Sequence, residues 1–202
     1  MTTTRRGEQD GPVPSTPSRP EDRPSPWVVR FAPLVPAGEP VLDVACGGGR
    51  HTRFLLERGH RVVALDRDTS GIEDLRGDPR LEVLEVDLED GRPFPLRGRR
   101  FAAVVVTNYL HRPILPDLVA AVAPGGLLLY ETFAAGNERF RRPRRPEFLL
   151  RPGELLEAVR NELRVVAYED VVVDEPRPAA VQRIAAARDP EAGPAGEAGD
   201  RP

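Results

Sequence analysis

The sequence predicts an α/β fold, with a doubly wound, mostly parallel sheet of seven strands that ends in an antiparallel C-terminal hairpin. Short apolar runs alternate with segments of helical character, which is the pattern of a sheet covered by helices on both faces. The last two apolar runs are separated by only a few residues, which suits two antiparallel strands.

Each predicted strand is an apolar run that stops at a turn residue or an acid. The predicted strands cover residues 41–44, 61–65, 81–86, 101–106, 127–130, 164–173 and 180–187. The fourth is continuously apolar and ends in three valines, as expected for a central strand. Helices are predicted to begin near residues 26, 51, 72, 115 and 151. Ser25 before Pro26 is a capping signal for the first helix, and Gly59 is a stop for the second.

The length and the composition of the two ends predict one folded domain. Residues 1–25 and 188–202 are rich in Pro, Gly and charged residues and nearly lack large apolar side chains. Such segments cannot bury enough apolar surface to offset the entropy of ordering them. We therefore expect disordered tails over 1–25 and 188–202 and one domain over 26–187.

The composition excludes several kinds of chemistry. All 29 basic residues are arginine, so the chain offers no lysine for a Schiff base or a P-loop. Cys46 is the only cysteine, which excludes a multi-cysteine metal site, and we expect no metal. The net charge of −3 argues against a surface that generally coats nucleic acid. No apolar run is long enough to span a bilayer, so we expect cytoplasmic residence without membrane contact.

The most informative segment contains a glycine turn between two acid-bearing strands. A strand with Asp43 passes into Gly47-Gly48-Gly49, a helix follows, and the next strand ends at Asp66. Such a unit holds a nucleoside-bearing cofactor, because glycines permit close backbone approach and the second acid can bond ribose hydroxyls. Thr52 stands where the dinucleotide fingerprint has its third glycine, so the motif for NAD is incomplete.

These residues resemble the class I S-adenosylmethionine-dependent methyltransferases, which have a Rossmann-like fold. The resemblance rests on Asp43-Val44-Ala45-Cys46-Gly47-Gly48-Gly49, Asp66, Asp87 and Ala123-Pro124-Gly125-Gly126. Residues 108–113 and 130–138 are similar to one subgroup of small bacterial tellurite-resistance-like methyltransferases. The resemblance implies an enzyme that transfers a methyl group and takes S-adenosyl-L-methionine as its cofactor.

The resemblance also implies which residues bind the cofactor. The glycine loop is expected to pass under the methionine part and adenosine, Asp66 to bond the ribose, and Asp87 with Leu88 to meet the adenine edge. The implied cofactor-binding residues are Asp43, Ala45, Cys46, Gly47, Gly49, Asp66, Asp87, Leu88, Thr107 and Asn108. Ala45 stands where the family commonly has glycine. The Asn-Pro-Pro-Tyr signature of many nucleic-acid amino-methyltransferases is absent around Asn108, so amino-group methylation is not implied.

Three residues at the ends of neighbouring strands are candidate catalytic residues on the acceptor side. His111 is a candidate general base, since imidazole titrates near neutral pH, or else it fixes the loop. Tyr109 can stack on a substrate or form a wall of the pocket. Glu131 can bind a substrate cation or pair with an arginine. Cys46 lies at a helix N-terminus, where either a thiolate or a small neutral side chain would fit.

The sequence leaves the methyl acceptor open. The chain has no large recognition domain, so a small-molecule acceptor is expected. We also expect a monomer. The arginines between Arg139 and Arg145 leave an RNA acceptor as an alternative. The glycine loop is also compatible with an NAD-dependent oxidoreductase, or with a protein that binds S-adenosylmethionine without catalysis.

Overall fold

The computed structural model describes residues 22–191 of the 202-residue chain. Most of the two tails expected from the sequence, residues 1–21 and 192–202, lie outside the described residues. The described part contains a seven-stranded sheet whose two faces are each covered by a buried apolar cluster.

The strands of this sheet lie in the order β3-β2-β1-β4-β5-β7-β6. Their bounds are β1 Val41–Val44, β2 Val62–Asp66, β3 Leu81–Glu85, β4 Phe101–Thr107, β5 Val122–Phe133, β6 Arg164–Val173 and β7 Ala179–Ala187. The first five are parallel, whereas β7 runs antiparallel to both β5 and β6. The predicted fold class is therefore confirmed, and the hairpin turns back so that β7, not β6, pairs with β5.

Four α-helices connect these strands or precede them: α1 Pro26–Phe31, α2 Arg50–Glu57, α3 Leu115–Ala120 and α4 Glu154–Val159. Ser25 caps α1 as predicted, because its Oγ accepts a hydrogen bond from the Trp27 amide at 3.1 Å. Gly59, with a φ of +87°, follows α2 as the predicted stop. The short helix expected at 72–75 is a 3-10 segment, Ser70–Leu75.

The central strand β4 divides the core in two. Val104 and Val106 pack into the cluster on one face, while Ala103 and Val105 pack into the other with Trp27. All of these side chains are buried, as the continuous apolar run predicts. The strand order reverses between β1 and β4, and in open α/β sheets ligands bind outside the carboxyl ends of the strands at such a point.

Two residues that the sequence assigns to the tails are buried in the domain. Ser25 is 3% exposed and Arg188 is 6% exposed. The Arg188 guanidinium donates to the carbonyl oxygens of Val122 at 2.9 Å and Val119 at 3.0 Å. Buried carbonyls need a donor, and Arg188 supplies it where α3 passes into β5. The ordered unit therefore reaches at least from Ser25 to Arg188, beyond the predicted limits of 26 and 187.

Among residues 22–191, none of the helices has the length and apolar character required to cross a bilayer.

Candidate functional site

The loop between β1 and α2 follows a backbone path that few residue types can adopt. Gly47 and Gly49 have φ values of +51° and +75°, in the left-handed region that favours glycine. A methyl group on Gly49 would lie 2.2 Å from Ile72 Cγ2. Ala45 also has a positive φ, +53°, so the family's usual glycine at this position is replaced at a cost in backbone strain.

Asp66 joins this loop to the end of β2. Its Oδ2 accepts a hydrogen bond from the Gly47 amide at 2.8 Å, and its Oδ1 accepts one from the Asp68 amide at 3.1 Å. The Cys46 amide also donates to the Leu65 carbonyl, at 3.1 Å. The predicted ribose-binding acid therefore lies directly beside the glycine loop.

A cavity of about 260 Å³ opens next to Asp66. It brings together five of the residues predicted for the site, namely Ala45, Asp66, Asp87, Leu88 and Tyr109. The remaining lining residues are Leu65, Arg67, Val86 and Glu89. Apolar walls with carboxylates among them suit an aromatic base and a ribose, so the residues present fit the nucleoside half of S-adenosylmethionine.

Asp43, in contrast, lies inside the protein and does not line that cavity. Its side chain is 2% exposed and its Oδ2 accepts a hydrogen bond from Thr52 Oγ1 at 2.6 Å. Burial raises the pKa of Asp43 from 3.8 to about 6, although the bonds from Thr52 oppose this effect. Asp43 therefore holds the first turn of α2 in place through its hydrogen bond with Thr52.

Cys46 is buried, and burial together with nearby Asp43 and Asp66 raises the pKa of its thiol to about 12. The thiol is neutral at physiological pH. Of the two interpretations open from the sequence, the structure supports the small neutral side chain rather than the thiolate.

A chain of hydrogen bonds connects the end of β4 to the start of α1. The Ser25 amide donates to His51 Nε2 at 3.0 Å, so the proton of this imidazole lies on Nδ1. His51 Nδ1 lies 3.4 Å from Thr107 Oγ1, which also accepts from Arg50 Nη2 at 3.3 Å. Burial lowers the pKa of His51 to about 3, so the ring is neutral and has a structural role.

The residues after Thr107 turn back towards β5. Asn108 has a φ of +55°, and its amide donates to the Glu131 carbonyl at 2.9 Å. The Tyr130 hydroxyl donates to the Tyr109 carbonyl at 2.9 Å. Burial and the nearby carboxylates, Glu89 first among them, raise the pKa of Tyr109, so its hydroxyl stays protonated. His111 is half-buried and outside the cavity lining.

Glu131 pairs with an arginine, the second of the two roles considered for it. Its Oε2 lies 3.2 Å from Arg183 Nη1, and its Oε1 accepts from Ser25 Oγ at 2.7 Å. Arg183 also bonds Glu169 and lies over the Trp27 ring at 4.9 Å from its centroid. Because the charge of Glu131 is already balanced by Arg183, the structure gives its predicted role with a substrate cation, and its predicted catalytic role, no support.

The segment after β5 is anchored at both of its ends. The buried Asn137 side chain donates to the Arg141 carbonyl at 3.2 Å and the Pro143 carbonyl at 2.9 Å. Arg112 bonds both carboxylate oxygens of Glu154, at 2.6 and 2.9 Å, and the carbonyls of Glu147 and Leu149. Although burial opposes it, the bonds from Arg112 and Arg151 lower the pKa of Glu154 to about 2.

The arginines between these anchors face solvent, apart from Arg141, which is half-buried. The guanidinium of Arg139 lies over the Phe140 ring, and that of Arg141 over Phe133. These arginines therefore lie on an anchored segment that follows the carboxyl end of β5.

Several residues of the site escaped the sequence prediction. Arg67 and Glu89 line the cavity, and each lies within one or two residues of a predicted acid, which could have indicated them. A methyl group on Gly71 would come within 2.9 Å of Gly48 Cα, so Gly71 lets the loop after β2 pack against the glycine loop. Ser25 gave a capping signal for α1 but no local signal of its contacts with His51 and Glu131.

Part of this chain is similar to known methyltransferases. Residues 41–126 match the family model described as "Methyltransferase domain". Malonyl-[acyl-carrier protein] O-methyltransferase from Serratia marcescens is 34% identical over 105 residues, which cover 50% of this chain and 40% of that protein. The chain spans about two fifths of the length of this relative.

Solved structures share the fold. TehB from Haemophilus influenzae superimposes with a TM-score of 0.63 at 18% identity, covering 80% of this chain and 61% of TehB. A Burkholderia thailandensis 1,6-didemethyltoxoflavin-N1-methyltransferase, with bound 1,6-didemethyltoxoflavin and S-adenosylhomocysteine, gives a TM-score of 0.57 at 22% identity. The match covers 81% of this chain and 76% of that chain.

The fold, the glycine loop with its acids, and the family match together indicate a class I methyltransferase domain. Residues 41–126 match the methyltransferase family model, and the resemblance seen in the sequence is confirmed. S-adenosylmethionine is the methyl donor of this family.

The buried Asp43 leads to a prediction about pH. Because the folded chain binds a proton on Asp43 more tightly than the unfolded chain, the stability from this proton is present below pH 3.8 and is lost as the pH rises through about 6. The side chain of Asp43→Asn cannot ionise, so this variant does not lose that stability as the pH rises. Its free energy of unfolding, relative to wild type, should increase by about 2–3 kcal/mol between acid and neutral pH. Urea unfolding of both proteins across this range measures the difference, and a pH-independent difference would contradict the account.

Proposed function

We propose that this protein is an S-adenosylmethionine-dependent methyltransferase that acts on a small molecule. The observation that carries the proposal is the cavity beside Asp66, at the carboxyl edge of the sheet, within a segment that matches the methyltransferase family. When bound there, the cofactor supplies an electrophilic methyl group on its sulfonium.

The chain's own residues would hold the donor as follows. Asp66 would accept hydrogen bonds from the ribose, Leu88 would pack against the base and Asp87 would meet its edge. The backbone at Ala45 and Gly47 would lie along the donor between the nucleoside cavity and β4. Thr107 and Asn108 would lie on the side of the donor that faces the acceptor. Much of the rate would come from holding the nucleophile and the methyl close and aligned.

The acceptor would enter between the ends of β4 and β5. Tyr109, a protonated phenol in the cavity wall, would orient it. His111 would accept a proton where the acceptor atom has to lose one. By their names, the relatives described above methylate malonyl-[acyl-carrier protein] and 1,6-didemethyltoxoflavin, which supports a small acceptor group here. The arginines from Arg139 to Arg145 favour an acceptor that carries negative charge.

An NAD-dependent oxidoreductase fits the site less well. Thr52, at the position of the missing third glycine, is fully buried and bonded to Asp43. A pyrophosphate at this helix would face a buried carboxylate, which is unfavourable, whereas a cationic sulfonium and ammonium are favoured near Asp43 and Asp66.

Asp66→Ala tests the donor site. The variant should bind S-adenosylmethionine about 1.5–3 kcal/mol more weakly, the range for hydrogen bonds to a charged group, and it should remain folded. Calorimetry measures the affinity. Asp68→Ala, which removes an exposed carboxylate two residues away, is the matched control and should leave it unchanged. Unchanged donor affinity in folded Asp66→Ala would remove Asp66 from the site.

The acceptor side is tested once a screen with labelled donor has given an acceptor. Tyr109→Phe and His111→Ala should reduce the single-turnover rate of methyl transfer more than they weaken donor binding. Tyr168→Phe, on β6, serves as the control. Equal losses of rate and of donor affinity would place Tyr109 and His111 in the donor site instead. A sulfur or metalloid acceptor needs no base, so the His111 effect should then be small while that of Tyr109 persists.

A further inference from the structure

The segment of residues 139–145 carries positive charge that its own surroundings do not balance. It contains five arginines and no acid, although the whole chain has a net charge of −3. Arg145 pairs with Glu147 at 3.6 Å. In the described part of the chain, Arg142 and Arg144 form neither an ion pair nor a side-chain hydrogen bond, and both are exposed. The segment therefore has guanidinium donors that are open to an anion from solution.

A buried amide holds the backbone of this segment. The Asn137 side chain is fully buried, and its Nδ2 donates to the carbonyls of Arg141 and Pro143 at 3.2 and 2.9 Å. Its Oδ1 accepts a hydrogen bond from the Ala180 amide at 3.3 Å. Because the backbone on both sides of Arg142 is already fixed, a ligand that binds here does not have to order it, and this favours affinity.

Arg141 places the segment at the carboxyl edge of the sheet. Its guanidinium carbon lies 5.7 Å from the centroid of the Phe133 ring. Phe133 ends β5, two residues after Glu131, so the two side chains share one face of the sheet and their Cα atoms are about 7 Å apart. Glu131 lies opposite Thr107 of β4. An anion at Arg141 is therefore close to the ends of β4 and β5, where the proposed function has the acceptor enter.

The charge distribution favours a compact acid over a nucleic acid. A guanidinium is a good partner for a carboxylate, because its planar fork can bond both oxygens. An RNA backbone would extend beyond this one segment and meet the rest of the chain, which is acidic once these five arginines are set aside. Several arginines on one short, fixed segment suit a small molecule with carboxylate groups.

The side chains at the ends of β4 and β5 are poorly placed to take a proton from an acceptor. Glu131 is already in an ion pair, and His51 Nε2 already accepts a backbone amide hydrogen. The raised pKa of Tyr109 keeps its hydroxyl protonated. His111 lies outside the lining of the cavity. An acceptor atom that arrives already ionised suits this arrangement best.

We propose that the acceptor is a small polycarboxylate. One of its carboxylates binds the arginines of residues 139–145, and an oxygen of a second carboxylate takes the methyl group. Carboxyl groups ionise at a pH of about 4, so this oxygen is a nucleophile at neutral pH without a base. It forms a bond to the methyl carbon while the bond from that carbon to sulfur breaks, and the electron pair of the broken bond goes to sulfur. The products are a methyl ester and S-adenosylhomocysteine, and no proton is transferred.

This proposal rests on the proposed function, since it takes S-adenosylmethionine as the donor and the ends of β4 and β5 as the acceptor side.

Transfer of labelled methyl from S-adenosylmethionine by the full chain tests this substrate class. The acceptors are malonate, succinate, citrate and trans-aconitate, with butyrate, glycerol 3-phosphate and transfer RNA for comparison. Alkali releases the methyl of an ester as volatile methanol, whereas methyl groups on nitrogen, sulfur or an ether oxygen are retained. We expect alkali-labile label on one or more of the di- and tricarboxylates, and no label on the three comparison acceptors.

Two variants test the role of the arginines with the acid that is methylated best. Arg141→Ala, and Arg142→Ala combined with Arg144→Ala, should each raise its KM about 10-fold, because a charge-assisted hydrogen bond is lost. Both should leave kcat and the calorimetric affinity for the donor within about twofold. Arg164→Ala is the matched control and should leave all three quantities unchanged. Arg164 is also exposed, but it begins β6 at the opposite edge of the sheet.

The possible failures are distinguishable. A wild-type chain that binds S-adenosylmethionine but methylates none of the four acids overturns the proposal, as does an alkali-stable product or labelled RNA. An unchanged KM in both arginine variants, or an equal rise in Arg164→Ala, overturns the role of residues 139–145. A wild-type chain that does not bind S-adenosylmethionine contradicts the proposed function itself.

Discussion

The contact between the Gly47 amide and the Asp66 carboxylate links the two halves of the site. It ties the loop after β1 to the end of β2, and the neighbouring amide of Cys46 bonds the carbonyl of Leu65. Because β1 and β2 are adjacent parallel strands, their ends are already close, and the loop needs only residues that tolerate a left-handed backbone. The cavity for a nucleoside forms where this loop and the end of β3 leave space.

A second constraint comes from the segment before α1. Ser25 bonds His51 through its amide and Glu131 through its hydroxyl, so it connects α2 to β5 across the end of β4. A neutral, buried His51 is required for the first of these bonds, since a protonated ring could not accept it. The N-terminal segment thus covers the ends of β4 and β5, where we propose that the acceptor enters, and the ion pair of Glu131 with Arg183 lies beside it.

Local patterns in the sequence were sufficient for the sheet and for five of the residues that line the cavity beside Asp66. Apolar runs and turn residues give the strands, and the acids at the ends of β1 and β2 flank the glycines. Contacts between residues distant in sequence could not be predicted from local patterns. Nothing near Glu131 indicates Arg183, which is 52 residues away, and nothing near Arg188 indicates that its guanidinium bonds two carbonyls near α3. For the same reason, the order of β7 and β6 had to come from the structure.

Hydrogen–deuterium exchange with and without saturating S-adenosylhomocysteine tests the central claim, that a nucleoside donor binds at the carboxyl edge beside Asp66. The account predicts slower exchange in peptides that cover residues 45–50 and 87–89, and unchanged exchange in the edge strand β6. NAD at the same concentration should protect neither region. Unchanged exchange at residues 45–50 and 87–89 with S-adenosylhomocysteine, or equal protection by NAD, would contradict the claim.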